Sequence, residues 1–286
     1  MFSETTKHQV LLANKGRIVI KTPKKWLYPK AIDLAYQQQI VNLVSQPFIK
    51  EVSEKILPQL PQLINAAASV RPDSAHRADS WVDTVEQLVS SIKFSYSSLV
   101  KPDMFERAAQ QQALKVSMYN KEQFYKVIRS SLSIDPIINE PYLQSQVQSF
   151  VNQNTALIKN LTELQTTKVQ QTLMRGLSSG EGLTKLREQL QEDANFSKQR
   201  AALIARDQTN KFNGSLAELR QVEFGIEEYF WDDVNDDRER PAHIALGDQA
   251  RAGKTRKWSD NNEKPGQAIR CRCVAQPVIT DALFTQ

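Results

Sequence analysis

The chain has 286 residues, with only nine glycines and two cysteines, and its formal net charge is +5. This length is enough for one large domain or two smaller ones. The sequence has no run of 18 apolar residues, and residues 1–30 lack the apolar core of a signal peptide, so neither a membrane-spanning helix nor a leader is expected. Phosphate-binding and dinucleotide-binding glycine motifs are absent, which argues against a nucleotide-driven motor. Two cysteines two residues apart cannot form a disulfide framework, so folding in a reducing cytosol is expected.

The charge is distributed unevenly along the chain. Residues 1–30 carry seven Lys or Arg against one acid, and residues 238–272 carry nine against four. The intervening residues 31–237 carry 21 basic and 26 acidic side chains, so the two ends are basic and the middle is acidic. Basic ends of this kind often face polyanions, and the alternative is that charged termini serve solubility.

Residues 1–30 are interpreted as a basic N-terminal arm. Residues 17–20 are predicted to form a short strand, and Pro23 and Pro29 bracket an aromatic and basic patch. Trp26 and Tyr28 in this patch suit docking onto another protein or a nucleic acid, or else they pack against the chain's own helices. The lysines of the patch are Lys24, Lys25 and Lys30.

A helical body is predicted over residues 31–196. Apolar residues recur there at three- and four-residue steps, which is the spacing of a helix with one buried face. The longest such seam begins at Leu143, and its width favours a bundle helix over an isolated coiled coil. The predicted helices cover residues 31–57, with an interruption near Pro47, and residues 79–100, 102–129 and 143–176. Residues 179–184 are predicted to begin another helix, and a further one is expected to begin at Phe196 or Ser197 and to end at Gly225.

After Gly225 the pattern changes, which predicts a small mixed C-terminal domain over residues 197–286. Residues 228–231 and 268–274 alternate as strands do, whereas residues 247–267 are rich in loop-forming residues. The fold class is therefore α+β, with a body of long helices followed by this small domain.

The scarce metal-binding residue types cluster in this last segment. On a strand, Cys271 and Cys273 would direct both sulfurs to one face. Together with His243 and Asp237, or Asp236 in its place, they form a plausible tetrahedral zinc shell. The alternative is two buried free cysteines and a hydrogen-bonded histidine. A metal-dependent hydrolase is the other chemical interpretation, although no set of nucleophile, base and orienting group is visible.

Residues 198–277 resemble the C-terminal domain of phage Mu F-like minor head proteins, also called phage head morphogenesis proteins. The helix motif that usually reads Arg-Thr-Glu is Arg206-Asp207-Gln208 here, and residues 267–270 lack the proline and histidine that often precede the cysteines. The second departure removes one potential metal ligand. The motifs that carry the resemblance are Ile204-Ala205-Arg206, Gly225, Tyr229 to Trp231, Asp237-Arg238-x-Arg240-x-x-His243, Gly247, Pro265-Gly266 and Cys271-Arg272-Cys273.

The resemblance implies a structural role without catalysis. Such proteins are expected in the virion, in the head interior or at the portal vertex, and in the host cytoplasm during assembly, where they assist head assembly, DNA packaging or DNA delivery. The implied partners are the portal protein, the major capsid or scaffolding protein, and double-stranded DNA bound without sequence specificity. A structural cluster of Arg206, Trp231, Arg238 and Arg240 is expected beside the zinc ligands. The residues expected to contact DNA or the portal are Lys24, Lys25, Lys30, Arg251, Lys254, Arg256 and Lys257.

Two alternatives remain open at this level. One is a metal-dependent hydrolase that acts on nucleic acid or protein during head maturation. The other is a sequence-independent DNA-binding protein that uses residues 1–30 and 238–272, whose affinity would depend on salt.

Overall fold

The structure is a computed structural model that describes residues 1–69, 75–234, 236 and 238–285, and describes only the backbone of residues 75–80. Long helices dominate, and a small antiparallel sheet lies near the C-terminus, which confirms the α+β prediction. The helices are α1 (Glu4–Ala13), α2 (Lys30–Ile40), α3 (Gln46–Glu51), α4 (Leu60–Ala68), α5 (Ala75–Leu99), α6 (Pro102–Leu132), α7 (Leu143–Ser178), α8 (Leu183–Glu223) and α9 (Pro241–Arg251). The strands are β1 (Glu228–Asp232), β2 (Arg256–Lys257) and β3 (Val274–Pro277).

The predicted helical body is largely helical, with local differences. Two short π-helical segments, Val41–Ser45 and Val52–Ile56, flank α3, and Pro47 lies at the start of α3, where an interruption was predicted. The helix predicted to begin at Phe196 or Ser197 is instead the middle of α8. No glycine or proline lies between Leu183 and Gly214, so nothing in this stretch breaks the helix. The predicted end at Gly225 is confirmed, because that residue has a left-handed φ of +91°.

The chain divides into two compact units that are interleaved in sequence. The first contains residues 1–34, 110–150 and 206–286, and the second contains residues 35–109 and 151–205. They therefore differ from the three consecutive segments predicted at 1–30, 31–196 and 197–286.

The first unit has an apolar core to which the N-terminal segment contributes. Trp26 is 1% exposed and packs against Phe124 of α6, with ring centroids 6.4 Å apart. Phe124 in turn meets Phe224, just after α8, at 5.5 Å and nearly edge to face. Residues 18–20 form no strand. The next residue, Lys21, is hydrogen-bonded to the end of α6: its amide donates to the carbonyl of Ser131, and its carbonyl accepts from the Ser131 hydroxyl. The N-terminal segment thus packs on the chain's own helices.

The second unit is helical and contains buried polar contacts as well as apolar ones. The hydroxyl of Tyr36 donates a hydrogen bond of 3.0 Å to Asn154 Oδ1, and the hydroxyl of Tyr96 donates one of 2.8 Å to the carbonyl of Val44. Phe48 packs edge to face on Tyr96, with centroids 5.7 Å apart. Burying these polar groups is tolerated because each has a partner.

The sheet has the order β2-β1-β3, with both pairings antiparallel. The predicted first strand is confirmed, since β1 covers Glu228–Asp232. The strand predicted over residues 268–274 is wrong, because β3 begins only at Val274 and the preceding residues form turns. Arg270 has a left-handed φ of 62°, which no strand accommodates. The predicted loop 247–267 is also wrong in part, since it includes the end of α9 and all of β2.

Candidate metal centre

His243 lies in the first turn of α9. Arg240 precedes the helix with an extended backbone, and Pro241 occupies the first turn, where its fixed φ and missing N–H are favourable. The His243 side chain is 3% exposed, and its ring meets the ring of Trp231 at 5.1 Å with an interplanar angle of 70°. Trp231 of β1 therefore fixes one face of the imidazole.

The two cysteines lie on the turn-rich segment that leads into β3. Cys271 and Cys273 are 5% and 4% exposed, and no disulfide joins them. The Cys271 amide donates to the carbonyl of Ala268 at 3.0 Å, while the amide of Gly266 donates to Cys271 Sγ at 3.3 Å. The side-chain amide of Asn210 on α8 donates to the Cys271 carbonyl. These hydrogen bonds hold the segment in a loop that directs both sulfurs toward α9.

The sulfurs and the histidine form a compact set of ligand atoms. His243 Nδ1 lies 3.6 Å from Cys271 Sγ and 3.5 Å from Cys273 Sγ, and one ligand atom from each of the three residues lies within 4.8 Å of the others. Zinc bonds of about 2.3 Å to sulfur and about 2.0 Å to nitrogen, set at tetrahedral angles, place those atoms about 3.5 Å apart. The spacing therefore fits three corners of a zinc tetrahedron.

Near the fourth corner lies the carboxylate of Glu239, although it is not part of the set of three ligand atoms that lie within 4.8 Å of one another. Glu239 Oε1 accepts a hydrogen bond from Cys273 Sγ at 3.3 Å. Asp237, the fourth ligand predicted from the sequence, lies outside the described residues. Asp236, its predicted substitute, is instead paired with Arg272 at 2.6 Å. The sequence did not predict Glu239 as a ligand, because it lies in the same run of acidic and basic residues as these aspartates. Its position four residues before His243 does not set it apart from them.

The other nitrogen of the histidine ring faces a second carboxylate. His243 Nε2 is buried and makes no hydrogen bond in the described part of the chain, and Glu263 Oε2 lies 3.6 Å from it. Metal-binding histidines commonly direct the second ring nitrogen to a carboxylate, which fixes the ring and makes it a better ligand. Sequence reasoning did not identify Glu263, because it lies in a polar loop 20 residues beyond His243.

The two thiols are electrostatically unequal. A hydrogen bond from Cys273 lowers the pKa of Cys271 to about 6; burial opposes this, and the amide of Gly266 adds to it. The pKa of Cys273 is raised by its hydrogen bond with Cys271 and by burial. The pair therefore favours one thiolate beside one thiol. A bound cation would favour the second thiolate as well, since metals coordinate the deprotonated sulfur.

The predicted structural cluster assembles only in part. Trp231 contacts His243, and Arg240 Nη2 donates to the carbonyl of Ile269 at 2.8 Å, at the edge of the cysteine loop. Arg238 lines a cavity beside the two cysteines. Arg206 is instead placed near Asp33, with 3.9 Å between Nε and Oδ2.

Some of the residues predicted to contact DNA or the portal already have partners within this protein, and others are exposed. Arg251 forms a two-pronged pair with Asp233, at 2.6 and 3.1 Å, and Lys25 pairs with Asp232 at 3.0 Å. The guanidinium of Arg256 lies 6.0 Å from the centre of the Trp231 ring. Lys24, Lys30, Lys254 and Lys257 are exposed.

The centre lies within a segment that known proteins share. Residues 167–276 match the family described as Phage Mu protein F like protein. This segment of the chain is similar to that family. The match confirms the resemblance seen over residues 198–277 and extends it into α7. It includes His243, both cysteines and all three strands except Pro277.

A second comparison covers more of the chain. The sequence is 26% identical over 253 residues to a protein of Haemophilus influenzae (strain ATCC 51907 / DSM 11121 / KW20 / Rd) described as an uncharacterized protein. The alignment covers 87% of this chain and 54% of the relative, so the chain spans about half the length of the curated relative that it matches. No solved structure matches it significantly. Within the described residues, no helix combines the length and apolar character needed to cross a membrane.

Proposed function

We propose that this chain is a minor head protein of a tailed bacteriophage, associated with the portal vertex, which assists head assembly, DNA packaging or DNA delivery. The observation that carries the proposal is the phage Mu protein F-like match over residues 167–276, which contains the Cys–Cys–His centre. Its function is structural: the chain contributes a stable surface to neighbouring head proteins and catalyses no reaction.

The arrangement of the centre supports a structural role. His243, Cys271 and Cys273 are each at most 5% exposed. Cysteine and histidine ligands of this kind are typical of structural zinc sites. We propose that the three residues hold Zn²⁺ with Glu239 or Asp237 as the fourth ligand. The zinc would tie the start of α9 to the loop before β3.

The exposed lysines supply the partner-facing charge. Lys24, Lys30, Lys254 and Lys257 form no ion pair within the described part of the chain, and they suit an acidic surface of the portal protein or of the major capsid or scaffolding protein. Arg251 and Lys25 are engaged within this protein, so we assign them to internal structure instead.

A complementation experiment tests this role. A phage whose copy of the gene is interrupted is supplied in trans with the wild-type chain, with the double variant C271S/C273S, or with H8A as a control at an exposed histidine. The wild-type chain and H8A are expected to restore infectious, DNA-filled heads, whereas the double variant leaves defective or empty heads in electron micrographs. Normal heads and full titre without any supplied chain would contradict a role in the head.

A further inference from the structure

A cavity of about 260 Å³ opens onto the metal centre, and His243, Cys271 and Cys273 are among its lining residues. It lies between the start of α9 and the cysteine loop, and arginine is its commonest lining residue. Four of its ten lining residues are arginines, and only one is an acid. The arginines are Arg238, Arg240, Arg270 and Arg272, and the acid is Glu239.

Two of these arginines are held in place by the protein. Arg240 Nη2 donates to the carbonyl of Ile269 at 2.8 Å, and Arg272 Nη2 pairs with Asp236 at 2.6 Å. Each guanidinium carries five N–H donors, so a single bond leaves most of them available. These two side chains therefore supply fixed positive charge with unused donors.

The other two arginines have no such anchor. Arg238 and Arg270 are exposed, and neither guanidinium forms an ion pair with any described residue. The one acid in the lining is Glu239, whose carboxylate accepts hydrogen bonds from Cys273 Sγ and from the amide of Val234, each at 3.3 Å. The lining is therefore positive, with four arginines against the Glu239 carboxylate and one cysteine thiolate.

Backbone features of the same cavity also favour an anion. Arg270 has a φ of 62°, a conformation that arginine rarely adopts and that tends to occur at functional sites. The N-terminus of α9 also lies at the cavity, so the positive end of its helix dipole faces an anion there. Its amides contribute little, because Pro241 has no N–H and the His243 amide already donates to the Arg240 carbonyl at 2.9 Å.

We propose that this cavity binds a phosphate group, with the backbone of DNA as its source. Arginine forks match phosphate oxygens with two parallel hydrogen bonds. The cavity volume corresponds to roughly nine water molecules at about 30 Å³ each, which accommodates a phosphate with part of its ester. This site is distinct from the lysines at Lys24, Lys30, Lys254 and Lys257. It depends on the chain's own geometry and not on the proposed place in the head.

The experiment compares two variants that each remove two positive charges. R238Q/R270Q alters the cavity, and K254Q/K257Q alters exposed lysines outside it. The full-length protein is titrated onto a fluorescent 20-base-pair duplex by anisotropy at several salt concentrations. R238Q/R270Q is expected to weaken binding by about tenfold or more, because hydrogen bonds to charged groups are strong. It should also reduce the salt slope by about 0.9 for each phosphate that the variant no longer neutralises. K254Q/K257Q should change affinity less.

Competition identifies the chemical class. Inorganic phosphate and poly-glutamate are each added at matched ionic strength, and phosphate is expected to displace the duplex while poly-glutamate is not. The wild-type protein could instead bind inorganic phosphate but not the duplex, with R238Q/R270Q abolishing the phosphate binding. That result would assign the site to free phosphate and would support the phosphate proposal. Equal weakening in both variants, displacement by poly-glutamate, or no effect of R238Q/R270Q on either ligand would overturn it. Melting temperatures of both variants check that they are folded.

Discussion

Arg220 on α8 and Glu140, just before α7, form an ion pair whose guanidinium is completely buried. Arg220 Nε donates to Glu140 Oε1 at 2.7 Å, and the Arg220 side chain is 0% exposed. Its other nitrogens donate to Asn120 Oδ1 at 2.7 Å and to the carbonyl and hydroxyl of Ser117, each at 3.0 Å. A buried charge is tolerated only when it is paired and its donors are satisfied, as they are here.

Replacing Glu140 by glutamine should destabilise the protein strongly. The substitution leaves the buried guanidinium of Arg220 without its counter-charge, and breaking a buried pair typically costs about 3–5 kcal/mol in the free energy of unfolding. Urea denaturation measures this cost. The matched control is E223Q, at an exposed glutamate on α8, which should change stability by less than about 0.5 kcal/mol. Equal effects of the two substitutions would show that the pair contributes little.

The same pair predicts a pH dependence of stability. Burial raises the pKa of Glu140, but hydrogen bonds and charge from Lys121 and Arg220 outweigh it, so the pKa is lowered overall. A carboxyl whose pKa is lowered in the folded state stabilises the protein above its unfolded pKa, about 4.3, and loses that contribution as pH falls through the folded pKa. The difference in unfolding free energy between wild type and E140Q should therefore be largest near neutral pH and shrink in acid. A difference that stays constant from about pH 7 to about pH 3 contradicts this.

Metal removal should destabilise the first unit. If the Cys–Cys–His centre holds Zn²⁺, purified protein contains about one equivalent by elemental analysis, and a chelator lowers the melting temperature. C271S/C273S and H243A should lose the metal, whereas H8A, at an exposed histidine, should retain it. If the purified wild-type protein contains no metal and a chelator does not change its melting temperature, the zinc proposal is contradicted. The cluster is then two buried thiols and a histidine.

The fourth ligand can be identified in the same assay. E239Q and D237N are compared for zinc affinity, and the true ligand should show the larger loss. E263Q tests the outer carboxylate near His243 Nε2, and such partners typically contribute about 10–100-fold in metal affinity. Unchanged affinity in E263Q would exclude that carboxylate from the site.

Gly247→Ala should destabilise α9. A Cβ at position 247 would collide with the carboxylate of Asp233, which is itself held by Arg251. Because Asp233 is buried and paired, it cannot move aside, and overpacking of this kind typically costs about 1–3 kcal/mol. Thermal or urea denaturation checks the loss. Gly182→Ala is the control, since no atom lies within 4 Å of its added Cβ; a similar loss there would contradict the explanation.

The sequence predicted the helices better than the loop that forms the centre. Apolar periodicity identified α5, α6 and α7, because a buried helix face repeats at a fixed spacing. The cysteines were expected on a strand, yet their sulfurs converge on His243 through a turn that contains Arg270 at positive φ. Side-chain spacing alone does not reveal such a turn. The convergence of Cys271, Cys273 and His243 was nevertheless expected from their rarity in the chain.

The sequence also did not predict which distant residues form pairs. Arg251 belonged to a basic stretch and suggested a contact with polyanions, but Asp233 and Gly247 together create a pocket for its salt bridge. Arg220 gave no signal in a helix rich in charged residues, although burial makes it the centre of a network. Burial of a charged side chain depends on tertiary packing, which local patterns do not encode.

Quantitative mass spectrometry of purified procapsids and DNA-filled heads, from a phage that encodes this chain, tests the central claim most directly. A minor head protein at the portal vertex is expected in these particles at a low, constant ratio to the portal protein. Absence from both kinds of particle would contradict the proposed place in the head.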